Sequence, residues 1–292
     1  MFERLHRLLL GSCGAFALVG LTVAVAGAPV FAFWRDAVAD ALWGTSFPAE
    51  LRSYAAFTDG VLGGSIVGKW VACAWLVHVP IRQRARWGLV ALLAAHLVWF
   101  AIDATASVLY GAPVNVWMID LLPLVVVGGL ALALWPHTKP VGPSPKPRPS
   151  VRVLLAVCLA SIGTGLAAAF AIRSPLFALY DQATADTFFA GVTEGRWVAW
   201  QRFAYGLIGA TLAGHFVALA AMLWRAPTER WVLHAVATSM TAWFVVDTGA
   251  CLVHGAWFNI LQINLPSYVG TMLVWAVAMR REGAARAGVS SG

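Results

Sequence analysis

The sequence predicts an all-α polytopic membrane protein with eight transmembrane helices, arranged as two tandem, parallel four-helix repeats. The prediction depends on the composition, the spacing of the apolar runs and a similarity between the two halves of the chain. Of 292 residues, 60% are hydrophobic and 11% are charged, whereas soluble domains carry about 25% charged residues. This composition excludes an ordinary soluble enzyme. Despite the net charge of +7, it also excludes a disordered or nucleic-acid-binding chain.

Eight apolar runs have about the 20-residue length that crosses the hydrocarbon core of a bilayer. A segment rich in Pro, Lys and Arg separates the first four runs from the last four and predicts an extended linker. The predicted spans are 8–33, 60–79, 87–110 and 115–135, then 152–173, 206–224, 231–253 and 260–279. The predicted units are a first repeat over 1–138, a cytoplasmic linker over 139–150, a second repeat over 151–281 and a flexible tail over 282–292.

The two halves of the chain align with each other. With a shift of 146 residues, Trp34 falls on Tyr180; with a shift of 144, the Trp-Phe-x-x-Asp sequence that ends at Asp103 falls on the one that ends at Asp247. Such internal similarity indicates one structural unit that occurs twice. Because each unit has an even number of spans, the units are expected to be parallel repeats. Further matched positions are Gly60 and Gly206, Gly68 and Gly214, Gly111 and Gly255, and Asn115 and Asn259.

Arg and Lys residues are concentrated on one side of the eight spans. They precede the first span, lie between spans 2 and 3 and between spans 6 and 7, fill the linker and follow the last span. Since an excess of Lys and Arg in short loops marks the cytoplasmic side, both termini are expected in the cytoplasm. The Arg-rich and Ala-rich composition is typical of bacterial chains from GC-rich genomes. We therefore expect a multi-pass protein of the bacterial cytoplasmic (inner) membrane.

Each half has one long outer loop, near 34–59 and 180–205, that mixes aromatic residues with a few charges. This pattern favours short amphipathic helices that lie on the outer face of the membrane. A cap over the mouth of the helix bundle is the alternative.

Ionisable side chains occur at matching depths in both halves, and such groups are rare and costly within membranes. At 1.5 Å per residue, Lys69 and Asp103 lie about 13 Å and 10 Å below the outer ends of their helices. We therefore expect Lys69 to contact Asp103, and His215 to contact Asp247. Any activity should then vary between about pH 5.5 and 7.5 through His215. The predicted polar layer contains Ser65, Lys69, Asp103 and Asp120 in the first half, and Thr211, His215, Asp247 and Asn264 in the second.

We interpret this layer as a site that handles an ion, protons or a small polar ligand, as in a transporter, channel or sensor. The alternative is a non-catalytic membrane subunit or assembly factor whose buried charges only hold helices in register. The sequence has no GxSxG, Walker A or HExxH motif, and its histidines lack metal-ligand spacing. It therefore favours a protein that is not an enzyme and that holds no cofactor or metal; an intramembrane enzyme is the least supported class.

Span 2 carries Gly60, Gly64 and Gly68 at intervals of four residues. Small residues at this spacing let another helix approach closely. The approaching helix could belong to the same chain, to a second copy in a homo-oligomer or to a partner membrane subunit. The other expected partners are the lipid bilayer and a small ion or polar ligand, with no nucleic acid.

Overall fold

The computed structural model describes residues 1–142 and 144–289, with the side chains of 26–29 and 282–289 left undescribed. Within this part of the chain, eight helices are long and apolar enough to cross a membrane. This confirms the predicted helical class and the number of candidate spans. In chain order the helices are α1 Phe2–Val30, α2 Ala32–Trp43, α3 Arg52–Leu76, α4 Arg86–Leu109, α5 Leu121–Leu134, α6 Pro149–Ala171, α7 Ala178–Phe188, α8 Arg196–Arg225, α9 Arg230–Val253, the single turn α10 Trp257–Asn259, and α11 Leu265–Val289.

Three single π-helical turns adjoin the long helices, at Val77–Ile81, Val116–Asp120 and Ile260–Asn264. The last helix, α11, continues past position 281, where the sequence predicts the second repeat to end. The predicted flexible tail therefore overlaps a helix, and its last three residues, 290–292, lie outside the described residues.

Helices α3 and α8 are the most buried of the spanning helices, and each packs closely on a helix of the other half. A Cβ atom added to Gly60 of α3 would lie 2.3 Å from Ala250 Cβ of α9, and one added to Gly206 of α8 would lie 2.7 Å from Ala106 Cβ of α4. Such distances allow no side chain at either glycine. The two halves are therefore interlocked.

The glycine stripe of α3 is covered within the chain. Besides the contact of Gly60, a Cβ atom at Gly64 would lie 2.8 Å from the backbone nitrogen of Asp247, and one at Gly68 would lie 2.8 Å from Trp243 Cβ. A second copy or a partner subunit remains a prediction, but the glycine stripe through which it was expected to bind is occupied by α9.

The outer helices of each half pack on the central pair through glycine in the same way. A Cβ atom at Gly63 of α3 would lie 2.4 Å from the carbonyl oxygen of Gly20 in α1, and one at Gly209 of α8 would lie 2.2 Å from that of Gly165 in α6. The backbones of α1 and α3, and of α6 and α8, are thus in direct contact.

Short helices α2 and α7 cover one end of this bundle. Trp34 of α2 is buried, and its ring centroid lies 6.3 Å from that of Trp200 and 6.1 Å from that of Phe203, both in α8. Tyr180 of α7 is also buried and lies 4.9 Å from the ring of Phe258. Because these aromatic side chains face the other helices of the protein, the structure favours the cap over helices that lie flat on the membrane.

Candidate functional site

A buried polar cluster surrounds Asp103, and Asn115 connects its members. Asn115 Nδ2 lies 3.0 Å from Asp103 Oδ1, 3.1 Å from Ser107 Oγ and 3.2 Å from Asp120 Oδ2. Its Oδ1 accepts a hydrogen bond of 3.0 Å from Trp34 Nε1. One amide thus holds both carboxyl groups, and the cap helix α2 fixes the amide. We call Asp103, Ser107, Asn115 and Asp120 the first cluster.

Asp103 and Asp120 have a donor in common, because Asn115 Nδ2 lies 3.0 Å from Asp103 Oδ1 and 3.2 Å from Asp120 Oδ2. An ionised carboxylate has only acceptor atoms, so a hydrogen bond between two carboxyl groups requires a proton on one of them. A direct hydrogen bond between these two acids would therefore require one proton in the first cluster.

An equivalent cluster surrounds Asp247. Asn259 Nδ2 lies 3.1 Å from Asp247 Oδ1, 3.1 Å from Cys251 Sγ and 3.2 Å from Asn264 Oδ1. Asn259 Oδ1 accepts a hydrogen bond of 2.9 Å from the Tyr180 hydroxyl. Asn264 Nδ2 also donates to Asp247 Oδ1, at 2.8 Å. We call Asp247, Cys251, Asn259 and Asn264 the second cluster; an amide replaces the second acid.

The segments that follow α4 and α9 have the same backbone conformation, and this conformation positions the residues of both clusters. Gly111 and Gly255 have φ values of +85° and +67°, which residues with a Cβ atom rarely adopt. The π-helical turns Val116–Asp120 and Ile260–Asn264 follow. Since residues five apart are paired in a π-helical turn, each turn places its last residue beside the asparagine that precedes it.

Lys69 is buried near the first cluster, but no carboxylate among the described residues lies within 4.0 Å of its nitrogen. Its Nζ lies 3.7 Å from the ring centroid of Trp99 and 5.2 Å from that of Trp70, so the charge is stabilised by the two indoles. Lys69, Asp103 and Asp120 line one cavity of about 80 Å³. The structure thus brings these predicted residues together around a cavity, without the direct Lys69–Asp103 contact.

The predicted contact of His215 with Asp247 is not formed. Asp247 accepts hydrogen bonds from Asn259, Asn264 and Cys251, while His215 lies against α3. A Cβ atom at Gly68 would lie 3.1 Å from His215 Cε1, and none of the described residues is a hydrogen-bond partner of His215 Nε2. Because α8 packs on α3 and α4 at this level, its histidine faces the first half.

Ser65 and Thr211 lie beside the carboxylates of the opposite halves. Thr211 lines the cavity of Lys69 and Asp103, whereas Ser65 lines a cavity of about 60 Å³ with Asp247. Ser65 and Thr211 lie there because α3 packs on α9 and α8 packs on α4, so each of these helices turns one face toward the other half of the chain.

A further cavity of about 80 Å³ adjoins the one at Lys69. It reaches Asp59, Trp34 and Asn115, and Asp59 forms an ion pair with Arg35 of α2. The two cavities share the wall residues Val19, Leu62, Ile66, Ile119 and Leu207. We call them the inner cavity, at Lys69, and the outer cavity, at Asp59.

The second half has its own charged pair near α7, but this pair does not line the cavities described above. Arg173 Nη1 lies 3.3 Å from Asp181 Oδ2, and Gln201 Nε2 donates to Asp181 Oδ1 at 3.0 Å. Burial raises the pKa of Asp181 above its ordinary value, while the hydrogen bond from Gln201 and the charge of Arg173 oppose this shift. The charged groups at the inner and outer cavities therefore belong to the first half, whereas Asp247 of the second half lines the cavity of about 60 Å³.

Sequence reasoning missed the asparagines that connect the clusters. Asn115 and Asn259 entered it only as matched positions, although a polar residue repeated after a repeated glycine was a usable signal. It also missed Arg35 and Asp59, because charges in a long outer loop are usually solvated. Trp34 and Tyr180 likewise entered it only as a matched pair in the outer loops, and Ser107 and Cys251 were missed as contributors.

Comparisons with protein-family models, with curated proteins and with solved structures find no match to this chain. The residues and their geometry therefore carry the functional argument. Within the described residues, no group of three or more His, Cys, Asp or Glu side chains is placed to hold a metal ion. The chemistry that the clusters offer is proton binding, hydrogen bonding and charge.

Proposed function

We propose that this protein binds and releases protons at Lys69, Asp103 and Asp120, and couples them to a small ion or polar ligand in the inner cavity. The observation that carries the proposal is that one cavity is lined by two acids held by the same amide nitrogen and by a lysine without a direct carboxylate contact. An ion pair that only held helices in register would have its charged atoms in contact.

Charge balance explains the coupling. With one proton shared by Asp103 and Asp120, the two acids carry a charge of −1, which Lys69 balances. Loss of the shared proton leaves a net negative charge in a region of low dielectric constant, and this is costly. A cation or a polar ligand that enters the inner cavity would offset that cost. Proton release and ligand binding would therefore favour each other.

The matched clusters support a finer description of the chain. In it, residues 1–138 and 151–281 are parallel repeats of one four-helix unit, and both termini lie on the cytoplasmic side of a bacterial inner membrane. Labelling of single cysteines in a cysteine-free background tests the orientation. Labelling of the 139–150 linker from the periplasmic side would contradict it.

A second candidate function is that of a structural subunit, and the second cluster favours it. Asp247 is surrounded by amide and thiol donors and has no lysine or second acid beside it. A carboxylate satisfied in this way can fix helices without exchanging protons.

Infrared spectroscopy of the protein in lipid nanodiscs tests proton binding, because protonated carboxyl groups absorb separately from carboxylates. We expect a protonated carboxyl band in the wild type that changes with pH and is lost in Asp120→Asn. The matched control, Asp247→Asn, should keep the band. A wild-type spectrum without a pH-dependent band, or an unchanged one in Asp120→Asn, would contradict the proposal and favour the structural subunit.

A further inference from the structure

A second buried ion pair lies beyond the inner cavity and is not used by the proposed function. Arg35 of α2 and Asp59 of α3 are only 5% and 4% exposed, and the guanidinium group donates to the Asp59 carboxylate. None of the described residues is a hydrogen-bond partner of Arg35 Nε. Burying two charges is expensive and gives little net stability, so stability alone does not explain this pair.

Asp59 of this pair lies at the wall of the outer cavity, and the Asn115 amide at the same wall is hydrogen-bonded to the acids of the first cluster. Asp59 and Asn115 both line the outer cavity, and Asn115 holds Asp120 at 3.2 Å. Asp59 precedes Lys69 by ten residues, so it lies about 15 Å nearer the capped end of α3. Asp59 is thus placed between that end of the bundle and the shared proton.

The other walls of the outer cavity bring no ionisable group to Asp59. The neighbouring helices contribute Val19, Val23 and Leu207, and the π-helical turn contributes Ile119. Arg35 is therefore the charged group that faces Asp59 from the elements around it. A cavity of about 80 Å³ has room for a few water molecules, which polar groups at its two ends would anchor.

We infer that Asp59 is the outer proton-transfer group of the site. Its carboxylate accepts a proton from the aqueous phase on the capped side, and the acid then passes that proton through water in the outer cavity and the adjoining inner cavity to the deprotonated Asp103–Asp120 pair. Asp59 returns to its carboxylate form; transfer in the opposite direction reverses these steps. Arg35 keeps its proton throughout and holds Asp59 ionised between transfers. This inference rests on the proposed function.

The second half provides a matched control. Tyr205, 146 residues after Asp59, lines the cavity of Asp247 together with Tyr180 and Asn259, and its hydroxyl is hydrogen-bonded to that of Tyr180. An aromatic hydroxyl thus lies where the first half has a carboxylate. Tyr205→Phe removes a polar group at this position without touching the first cluster.

The test is the rate at which the carboxyl band follows a rapid change of pH. In the double variant Asp59→Asn/Arg35→Gln, two amides replace the charges, so no unpaired charge is left to prevent folding. We expect relaxation at least about tenfold slower than in the wild type, with the same final amplitude. Asp59→Glu, which keeps the carboxyl group, and Tyr205→Phe should both relax at close to the wild-type rate.

The outcomes separate the two proposals. A normal amplitude with an unchanged rate in the double variant would overturn the role of Asp59 alone. Slow relaxation in Tyr205→Phe as well would also overturn it, because the effect would then not be specific to the outer cavity. Absence of the pH-dependent band from the wild type would overturn the proposed function, and the role of Asp59 with it.

Discussion

Asp103 and Asp247 have matching hydrogen bonds to an asparagine, yet their surroundings differ in charge. Each is held by an asparagine that an aromatic side chain of a cap helix orients. Beside Asp103 are a second acid and a lysine; beside Asp247 is Asn264, whose amide donates a hydrogen bond. Asn264 thus brings a hydrogen-bond donor to the second cluster, whereas Asp120 can donate in the first cluster only when it is protonated. In the proposed function, this single Asp-to-Asn difference separates a cluster that holds a proton from one that need not.

The largest expected effect comes from removing both acids of the first cluster. Asp103→Asn/Asp120→Asn leaves Lys69 without a carboxylate at the inner cavity, and a buried charge that loses its partner costs about 3–5 kcal/mol of unfolding free energy. Denaturation of the purified protein in detergent measures the loss.

The control for this prediction is Asp247→Asn, which removes a carboxylate that balances no lysine and should cost much less. Adding Lys69→Met to the double variant should restore most of the stability. Equal losses in the double variant and in Asp247→Asn would show that Lys69 does not depend on the first cluster.

The next largest effect is expected from disrupting the glycine contacts between α1 and α3 and between α6 and α8. Gly63→Ala and Gly209→Ala each push a methyl group into the backbone of a neighbouring helix, and overpacking of this kind costs about 1–3 kcal/mol. If the halves pack alike, the two losses in thermal stability should be similar. Gly128→Ala is the control, since a Cβ atom there has no neighbour within 4 Å. A loss confined to one half would contradict the equivalence.

A smaller effect is expected where the cap meets each cluster. Trp34→Phe and Tyr180→Phe remove the donors to Asn115 and Asn259, each worth about 1 kcal/mol. Tyr180→Phe should cost somewhat more, because its hydroxyl is also bonded to Tyr205. Thermal denaturation compares both variants with Trp117→Phe, which alters a largely exposed indole. Losses no greater than that of Trp117→Phe would mean that the cap does not stabilise the clusters.

The smallest change in stability is expected when the second cluster is made to resemble the first. In Asn264→Asp, a protonated acid can donate to Asp247 as the amide does, so the hydrogen bond is kept. The protonated carboxyl absorption should increase, while the melting temperature changes little. A strong destabilisation without added absorption would show that the second half cannot hold a shared proton.

The sequence was sufficient to predict the spans and the depth of the polar residues. Apolar run length locates helices such as α4 and α9, and helical rise places Lys69 and Asp103 at similar depths. Both properties follow from the chain itself, without knowledge of its neighbours. The short helices of the outer loops were predicted from their mixture of aromatic and charged residues, but the favoured position, flat on the membrane, was wrong and the alternative of a cap fits the structure.

What could not be predicted is which helices are neighbours. Depth along a helix says nothing about the direction in which a side chain points relative to another helix, and the contact surfaces of α3 and α8 are mainly small residues. The assignment of His215 to Asp247 failed on this point, because α8 presents that histidine to the first half. Ser65 and Thr211 were assigned to the carboxylates of their own halves for the same reason, but each lies beside the carboxylate of the other half.

The interlocked packing of α3 with α9 and of α8 with α4 also has a consequence for biosynthesis. When the first four helices have entered the membrane, the glycine face of α3 still lacks the helix that covers it, so folding cannot be completed until α9 has been inserted. The linker keeps the first four helices close to the last four, so that their association is an intramolecular step. In this sense the two halves assemble as the subunits of a heterodimer do, although one polypeptide carries both.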